Sequence, residues 1–231
     1  GLYMLGYRVL HMPMELLGNS IGKVFHASAA EARRDNRLGD VTLQVFNVLV
    51  RIGIGPMVLL AVVAPELFSF VFGPDWCEAG VYVRWMVPWL TMVFITSPLS
   101  TIVSVIEKQA LGLAFQLSLL ILSSFAVIAG AFWGEPLTAI ALYAMSGFLV
   151  KGVFLIWLMH YNNIPVVRWS TIIGGELIRV LPFALLLWWL SRQLQYWFPE
   201  KIGSLLVVGC SALLIGTVFL WRGYYYGLKR N

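Results

Sequence analysis

Ionisable side chains inside long apolar segments are the residues of this chain that could do chemistry. They are Arg8, His11 and Glu15 in the first such segment, Arg51 in the second and Lys151 in the fifth. A charge at mid-bilayer costs about 2.5–3.5 kcal/mol on insertion scales, so such residues usually face protein or a water-filled cavity. Arginine offers a planar fork to phosphate oxygens, and lysine offers a compact charge. The three cations could therefore bind an anionic group within a membrane.

His11 and Glu15 could exchange protons. They lie four residues apart, which places them on the same side of a helix. Either group can change its charge near physiological pH when it is buried, and this would allow coupling to protons. The alternative is that Glu15 simply pairs with a nearby cation. The sequence leaves both interpretations open.

The helical period of the first segment positions these groups. Its polar residues recur at every third or fourth position, namely at 8, 11, 15, 19 and 23, and so follow one stripe of a helix. The remaining faces are apolar. A helix with one polar and one apolar face can line a cavity inside a membrane protein. The alternative is an amphipathic helix that lies flat at the membrane surface.

Apolar segments separated by short polar joints make up nearly the whole chain. The composition is 60% hydrophobic and 12% charged, and residues 111–132 carry no charge at all. A bilayer crossing needs about 20 mostly apolar residues, and this composition is typical of a membrane protein. We predict an all-α, polytopic membrane bundle of about seven transmembrane helices, with spans near 3–26, 43–63, 82–105, 111–132, 137–158, 174–191 and 203–221.

The distribution of lysine and arginine predicts the orientation. Basic residues such as Arg33, Lys108 and Arg168 lie in the joints after the first, third and fifth spans, and more follow in the tail. Basic loops stay cytoplasmic, so we expect the start of the chain outside and its C-terminus in the cytoplasm. Glu176 and Arg179 would then act as an interfacial anchor at the cytoplasmic end of the sixth span.

Other classes of function have little support in the sequence. The net charge of +5 is spread over alternate loops, which fits topology signalling better than nucleic-acid binding. The two cysteines, Cys77 and Cys210, fall in a loop and a span, and no metal-ligand spacing is present. We expect no metal, no other cofactor and no nucleic-acid partner. Because the chain begins without methionine inside an apolar stretch, we expect it to be the C-terminal part of a longer protein.

Three stretches in the first half of the chain occur in the order and spacing of a known family. They are YRVLHMP at 7–13 with LLGNSIGKVF at 16–25, PELF at 65–68 with FGPDW at 72–76 and AG at 79–80, and SPLS at 97–100 with KQ at 108–109. These stretches resemble bacterial oligosaccharide flippases of the multidrug/oligosaccharidyl-lipid/polysaccharide superfamily. The resemblance implies that 1–231 is the C-terminal transmembrane lobe of a two-lobe flippase, with the N-terminal lobe missing.

The resemblance also implies a function in polysaccharide biosynthesis, such as that of O-antigen. Members of this family carry lipid-linked precursors, here an undecaprenyl pyrophosphate-linked oligosaccharide, across the bacterial inner membrane. We expect Arg8, Arg51 and Lys151 to face the cavity between the lobes and to bind the head-group phosphates. The alternative is that Arg51 and Lys151 snorkel to the cytoplasmic surface. The implied partners are the lipid-linked oligosaccharide, membrane lipids, the missing N-terminal lobe, a polysaccharide polymerase and glycosyltransferases.

Two other functions are open to a chain of this kind. A drug or small-cation exporter of the same superfamily would favour a cavity dominated by carboxylates, whereas this chain has more buried cations. A membrane polysaccharide polymerase or ligase usually carries a sizeable external loop, and the longest external joint here, near 191–202, is short. No Ser/His/Asp set is evident. We therefore expect a transporter and not an enzyme.

Overall fold

The computed structural model describes residues 2–132 and 134–197, together with 209 and 211. Across these ranges the chain folds into α-helices joined by short turns, with one 3-10 turn at Pro74–Trp76. The helices are α1 (Leu2–Arg34), α2 (Leu38–Phe72), α3 (Cys77–Leu99), α4 (Ile102–Val105), α5 (Gln109–Phe132), α6 (Pro136–Tyr161) and α7 (Val166–Trp197).

Five helical segments of the described chain are long and apolar enough to cross a membrane. They are Leu38–Phe72, Pro74–Val105, Gln109–Phe132, Pro136–Tyr161 and Val166–Gln193. The predicted all-α membrane bundle is confirmed, and the protein is a multi-pass membrane protein. Helix α1 is not one of these five segments. That α1 crosses the membrane therefore stays a prediction. The predicted span at 203–221 lies outside the described residues.

Most helices are longer than the apolar spans predicted from the sequence, whereas the predicted span 82–105 is interrupted after Leu99, where α3 ends. Helix α1 runs past position 26, α2 extends beyond 43–63 at both ends, and α7 begins at Val166 rather than at 174. Hydropathy marks only the part of a helix that lipid can surround, whereas the helix continues until the backbone leaves the helical region. Two of the turns between helices contain an asparagine in the left-handed conformation, Asn36 and Asn163, whose φ angles are 56° and 55°. Asparagine tolerates this left-handed conformation better than most residues.

Helix α3 is the centre of the bundle. Helices α1, α2 and α6 pack against it, while α7 packs mainly on α2 and α5 mainly on α6. The largest core joins apolar side chains of α1, α2, α3 and α6, including Phe25, Phe46, Leu99 and Leu155. Within α5 only Gly130 is buried. One face of α1 and one face of α6 therefore lie against α3.

Two glycines allow α3 to approach its neighbours closely. A Cβ atom at Gly80 of α3 would lie 2.4 Å from the Cα of Pro65 in α2. A Cβ atom at Gly147 of α6 would lie 2.3 Å from Nε1 of Trp89 in α3. Any larger residue at these positions would displace its neighbour, so the missing side chain sets the distance between the helices. The Gly147 contact also determines which residues of α6 face α3.

Candidate functional site

The polar stripe of α1 carries the first group of candidate residues. Nδ1 of His11 lies 3.3 Å from Oε2 of Glu15, and the two side chains are 31% and 57% exposed. The ring of Tyr7 stacks on that of His11 with 4.8 Å between their centroids. Arg8, one turn before His11, is exposed. The structure therefore brings His11 and Glu15 into contact, as their spacing predicts.

A small cavity of about 140 Å³ separates this stripe from α3. The α1 side of the cavity includes His11, Glu15 and Asn19, and the α3 side includes Phe94 and Ser97. Its lining is therefore polar on the α1 side and mostly apolar on the α3 side. The cavity is large enough for several water molecules, since one water needs about 10–15 Å³ by this kind of measure.

A larger cavity of about 590 Å³ adjoins the first one, because Val93 and Ser97 of α3 line both. Lys151 of α6 contributes the cationic group to its lining. Hydroxyl and amide side chains from the end of α3, the α3–α5 connection and α5 surround the same space: Ser97, Ser100, Ser104, Gln109 and Gln116. Apolar side chains such as Phe115 and Phe154 complete the wall.

The larger cavity has the chemistry of a site for an anionic, hydroxyl-rich group. An ammonium group attracts phosphate, and serine and glutamine side chains can both donate and accept hydrogen bonds. Among the described residues that line it there is no carboxylate. Lys151 is half-buried, so its charge acts in an environment that screens it less than bulk water does.

Arg51 lies elsewhere, in α2 and near Arg179 of α7. It is half-buried and close enough to Arg179 of α7 for the two charges to repel each other. Arg179 donates from Nη1 to Oε2 of Glu176 at 3.3 Å, and the Glu176 side chain is only 1% exposed. Arg51 lines neither of the two cavities described above. The contact between α2 and α7 therefore holds a separate charged cluster of Arg51, Glu176 and Arg179.

The role of Glu176 and Arg179 as an interfacial anchor stays a prediction, but the two residues do not begin the helix as the sequence interpretation placed them. Because α7 begins at Val166, Glu176 lies about 15 Å along the helix at 1.5 Å per residue. Its side chain is buried within the protein. The sequence interpretation placed the start of the helix too late, because it assigned Arg168 to the joint before the sixth span.

The structure thus distributes the three predicted cations over three places. Arg8 is exposed on α1, Lys151 lines the larger cavity, and Arg51 joins the charged cluster between α2 and α7. Their predicted role in binding phosphate remains a prediction.

Sequence reasoning missed the serine and glutamine lining of the larger cavity. A usable signal existed, since Ser97, Ser100 and Ser104 recur at three and four residues, a spacing that puts them on one side of a helical segment. A search for charged groups in apolar segments does not identify these residues, because their side chains are neutral. Over the described parts of the chain, no three His, Cys, Asp or Glu side chains come together as a metal site would require.

Comparison with known proteins links the first part of the chain to polysaccharide biosynthesis. Residues 1–80 match the sequence profile of a family described as polysaccharide biosynthesis protein. The matched segment contains α1, α2 and the first turn of α3, and with them Arg8, His11, Glu15 and Arg51. No curated protein gives a significant match to the chain.

Proposed function

We propose that the chain forms one lobe of a secondary transporter that flips an undecaprenyl pyrophosphate-linked oligosaccharide from the inner to the outer leaflet. The observation that carries the proposal is the open cavity of about 590 Å³ on the helical bundle, where half-buried Lys151 shares the lining with exposed serine and glutamine side chains. The match of residues 1–80 to a polysaccharide biosynthesis family supports it independently. The membrane in question is the bacterial inner membrane, with the C-terminus of the chain in the cytoplasm.

The cavity would lower the cost of moving a charged head group through the membrane. A pyrophosphate in an apolar medium pays a large desolvation penalty unless cations and hydrogen-bond donors replace its water. Lys151 supplies a charge, while the lining amides and hydroxyls can serve both phosphate oxygens and sugar hydroxyls. Arg8 would meet the cargo on the exposed face of α1, and Arg51 would act from the cluster with Arg179. The substrate comes from glycosyltransferases, and a polymerase uses the product.

The lining of the larger cavity argues against a drug or small-cation exporter. A cationic cargo needs carboxylates near it, whereas the charged group described there is a lysine. A lysine repels such a cargo in a medium of low dielectric constant.

The decisive experiment removes the charge of Lys151 and leaves the volume of its side chain nearly unchanged. We expect Lys151→Met in the full-length protein to lower the initial flipping rate about 10–100-fold, because a hydrogen bond to a charged group contributes roughly 1.5–3 kcal/mol. The matched control is Lys108→Met. Lys108 is exposed and lies 4.5 Å from the centroid of the Tyr161 ring, outside the cavity lining. Flipping is measured as surface polysaccharide in a strain that lacks the gene and as leaflet exchange in proteoliposomes. Equal rates for both variants would refute the proposal.

His11 and Glu15 would couple the transporter to protons. They are the titratable residues among the described lining of the small cavity, where Tyr7 stacks on His11 and Arg8 lies one turn away. In proteoliposomes with an imposed pH gradient, we expect Glu15→Gln to keep the basal rate of flipping and to lose its acceleration by the gradient. An acceleration equal to that of the wild type would exclude Glu15 from coupling.

A further inference from the structure

Proline 65 leaves a backbone carbonyl of α2 without its usual helical donor. In an α-helix the N–H of each residue donates to the carbonyl four residues earlier, and proline has no N–H. The carbonyl that loses its partner here is that of Ala61, a half-buried residue inside a segment long and apolar enough to cross a membrane. An unsatisfied carbonyl in an apolar medium costs several kcal/mol, so another group usually replaces the missing donor.

Arg84 of α3 is that replacement donor. Its Nε donates to the Ala61 carbonyl at 2.9 Å, and its Nη2 donates to the Val62 carbonyl at 3.0 Å. The guanidinium fork thus binds two successive carbonyls of α2. On the same side of α3, Gly80 meets the backbone of α2, since a Cβ atom there would lie 2.4 Å from the Ala64 oxygen. Directed hydrogen bonds and a close backbone contact therefore hold α3 to α2 at Pro65.

The second proline of α2 lies in a different kind of contact. Pro56 follows Gly53 and Gly55, and the ring of Phe94 in α3 packs against Gly53, where a Cβ atom would lie 2.6 Å from Cδ1. The packing of an aromatic ring on a glycine is a non-directional contact, unlike the hydrogen bonds at Pro65. The resistance of α2 to bending should thus differ between its two prolines.

We infer that Arg84 is a positioning residue that clamps α2 to α3 at Pro65, so that residues 61–84 move as one rigid unit and α2 bends at residues 53–56. The clamp is a property of the fold, while the bending during transport rests on the proposed function. The hinge would lie directly after Arg51, so a change in its angle would move the charged cluster relative to residues 61–84.

A double-mutant cycle in the full-length protein tests the clamp. We expect Arg84→Gln to lower the melting temperature in detergent by about 3–10 °C, given 2–4 °C per kcal/mol for a domain of this size. In a Pro65→Ala background the restored N–H serves the Ala61 carbonyl, so the same substitution should cost less than half as much. Arg168→Gln, which removes an exposed guanidinium, is the control and should change little. An equal loss in both backgrounds would overturn the clamp.

Spin-label distances test the hinge. After replacement of Cys77 and Cys210 by serine, one pair of labels is placed at Val48 and Phe70, and another at Phe70 and Trp85; these three side chains are exposed. Undecaprenyl pyrophosphate is the added ligand. We expect the Val48–Phe70 distances to shift and the Phe70–Trp85 distances to stay constant. A shift in the second pair, or none in the first while leaflet exchange proceeds normally, would overturn the hinge and leave the proposed transport function intact.

Discussion

The substitution Gly147→Ala tests how the contact between α3 and α6 places Lys151 in the cavity. The added Cβ atom would lie 2.3 Å from Nε1 of Trp89 and 2.4 Å from its Cδ1, whereas ordinary contact begins at 3.4 Å. The indole ring has little room to retreat, because it packs edge-on against Tyr143 at 5.0 Å and beside Tyr7 at 6.2 Å. The two helices must therefore separate by about 1 Å at this point, a form of overpacking that costs roughly 1–3 kcal/mol.

The matched control is Gly152→Ala in the same helix, where a Cβ atom would meet no atom within 4 Å. Both substitutions gain the higher helix propensity of alanine, worth up to about 1 kcal/mol, so this gain cancels in the comparison. We expect Gly147→Ala to melt about 2–12 °C below Gly152→Ala in detergent, using 2–4 °C per kcal/mol. Because Lys151 lies one turn after Gly147, Gly147→Ala should also slow flipping. Equal melting temperatures for the two variants would refute the packing argument.

Three further substitutions test other contacts through the melting temperature or hydrogen exchange. Glu176→Gln should destabilise the protein by about 1–2 kcal/mol, less than a fully buried ion pair would lose, because Arg179 is 58% exposed; no loss would mean that the carboxylate does not stabilise the cluster. Gly130→Ala should separate α5 from α6, since its Cβ atom would lie 2.3 Å from the Cα of Ala139, and an unchanged melting temperature would contradict this contact. Arg33→Ala should cost less than about 1 kcal/mol but speed amide exchange at the end of α4 and in the turn after it, because Arg33 binds the carbonyl of Val105 and the carboxylate of Glu107 there; unchanged exchange would argue against that contact.

The class of fold and the pairing of His11 with Glu15 could be predicted from the sequence because both follow from local patterns. Apolar length identifies a membrane helix, and a spacing of four residues places two side chains on the same face of it. Helix ends were predicted less well, as α7 shows. The sequence interpretation assigned Arg168 to a cytoplasmic joint and so began the helix near Glu176, whereas the helix begins at Val166 and the Glu176 side chain is buried.

The sequence by itself determined that the protein is a membrane bundle with few ionisable groups inside it, since lipid tolerates charges only at a high cost. Tertiary structure decided which of those groups share a cavity. Lys151 lines the large cavity with serines from the end of α3 and the α3–α5 connection, while Arg51 is near Arg179. The rotation of each helix about its own axis makes this difference, and it is set by contacts between residues distant in the chain, such as Gly147 with Trp89 and Gly80 with Pro65.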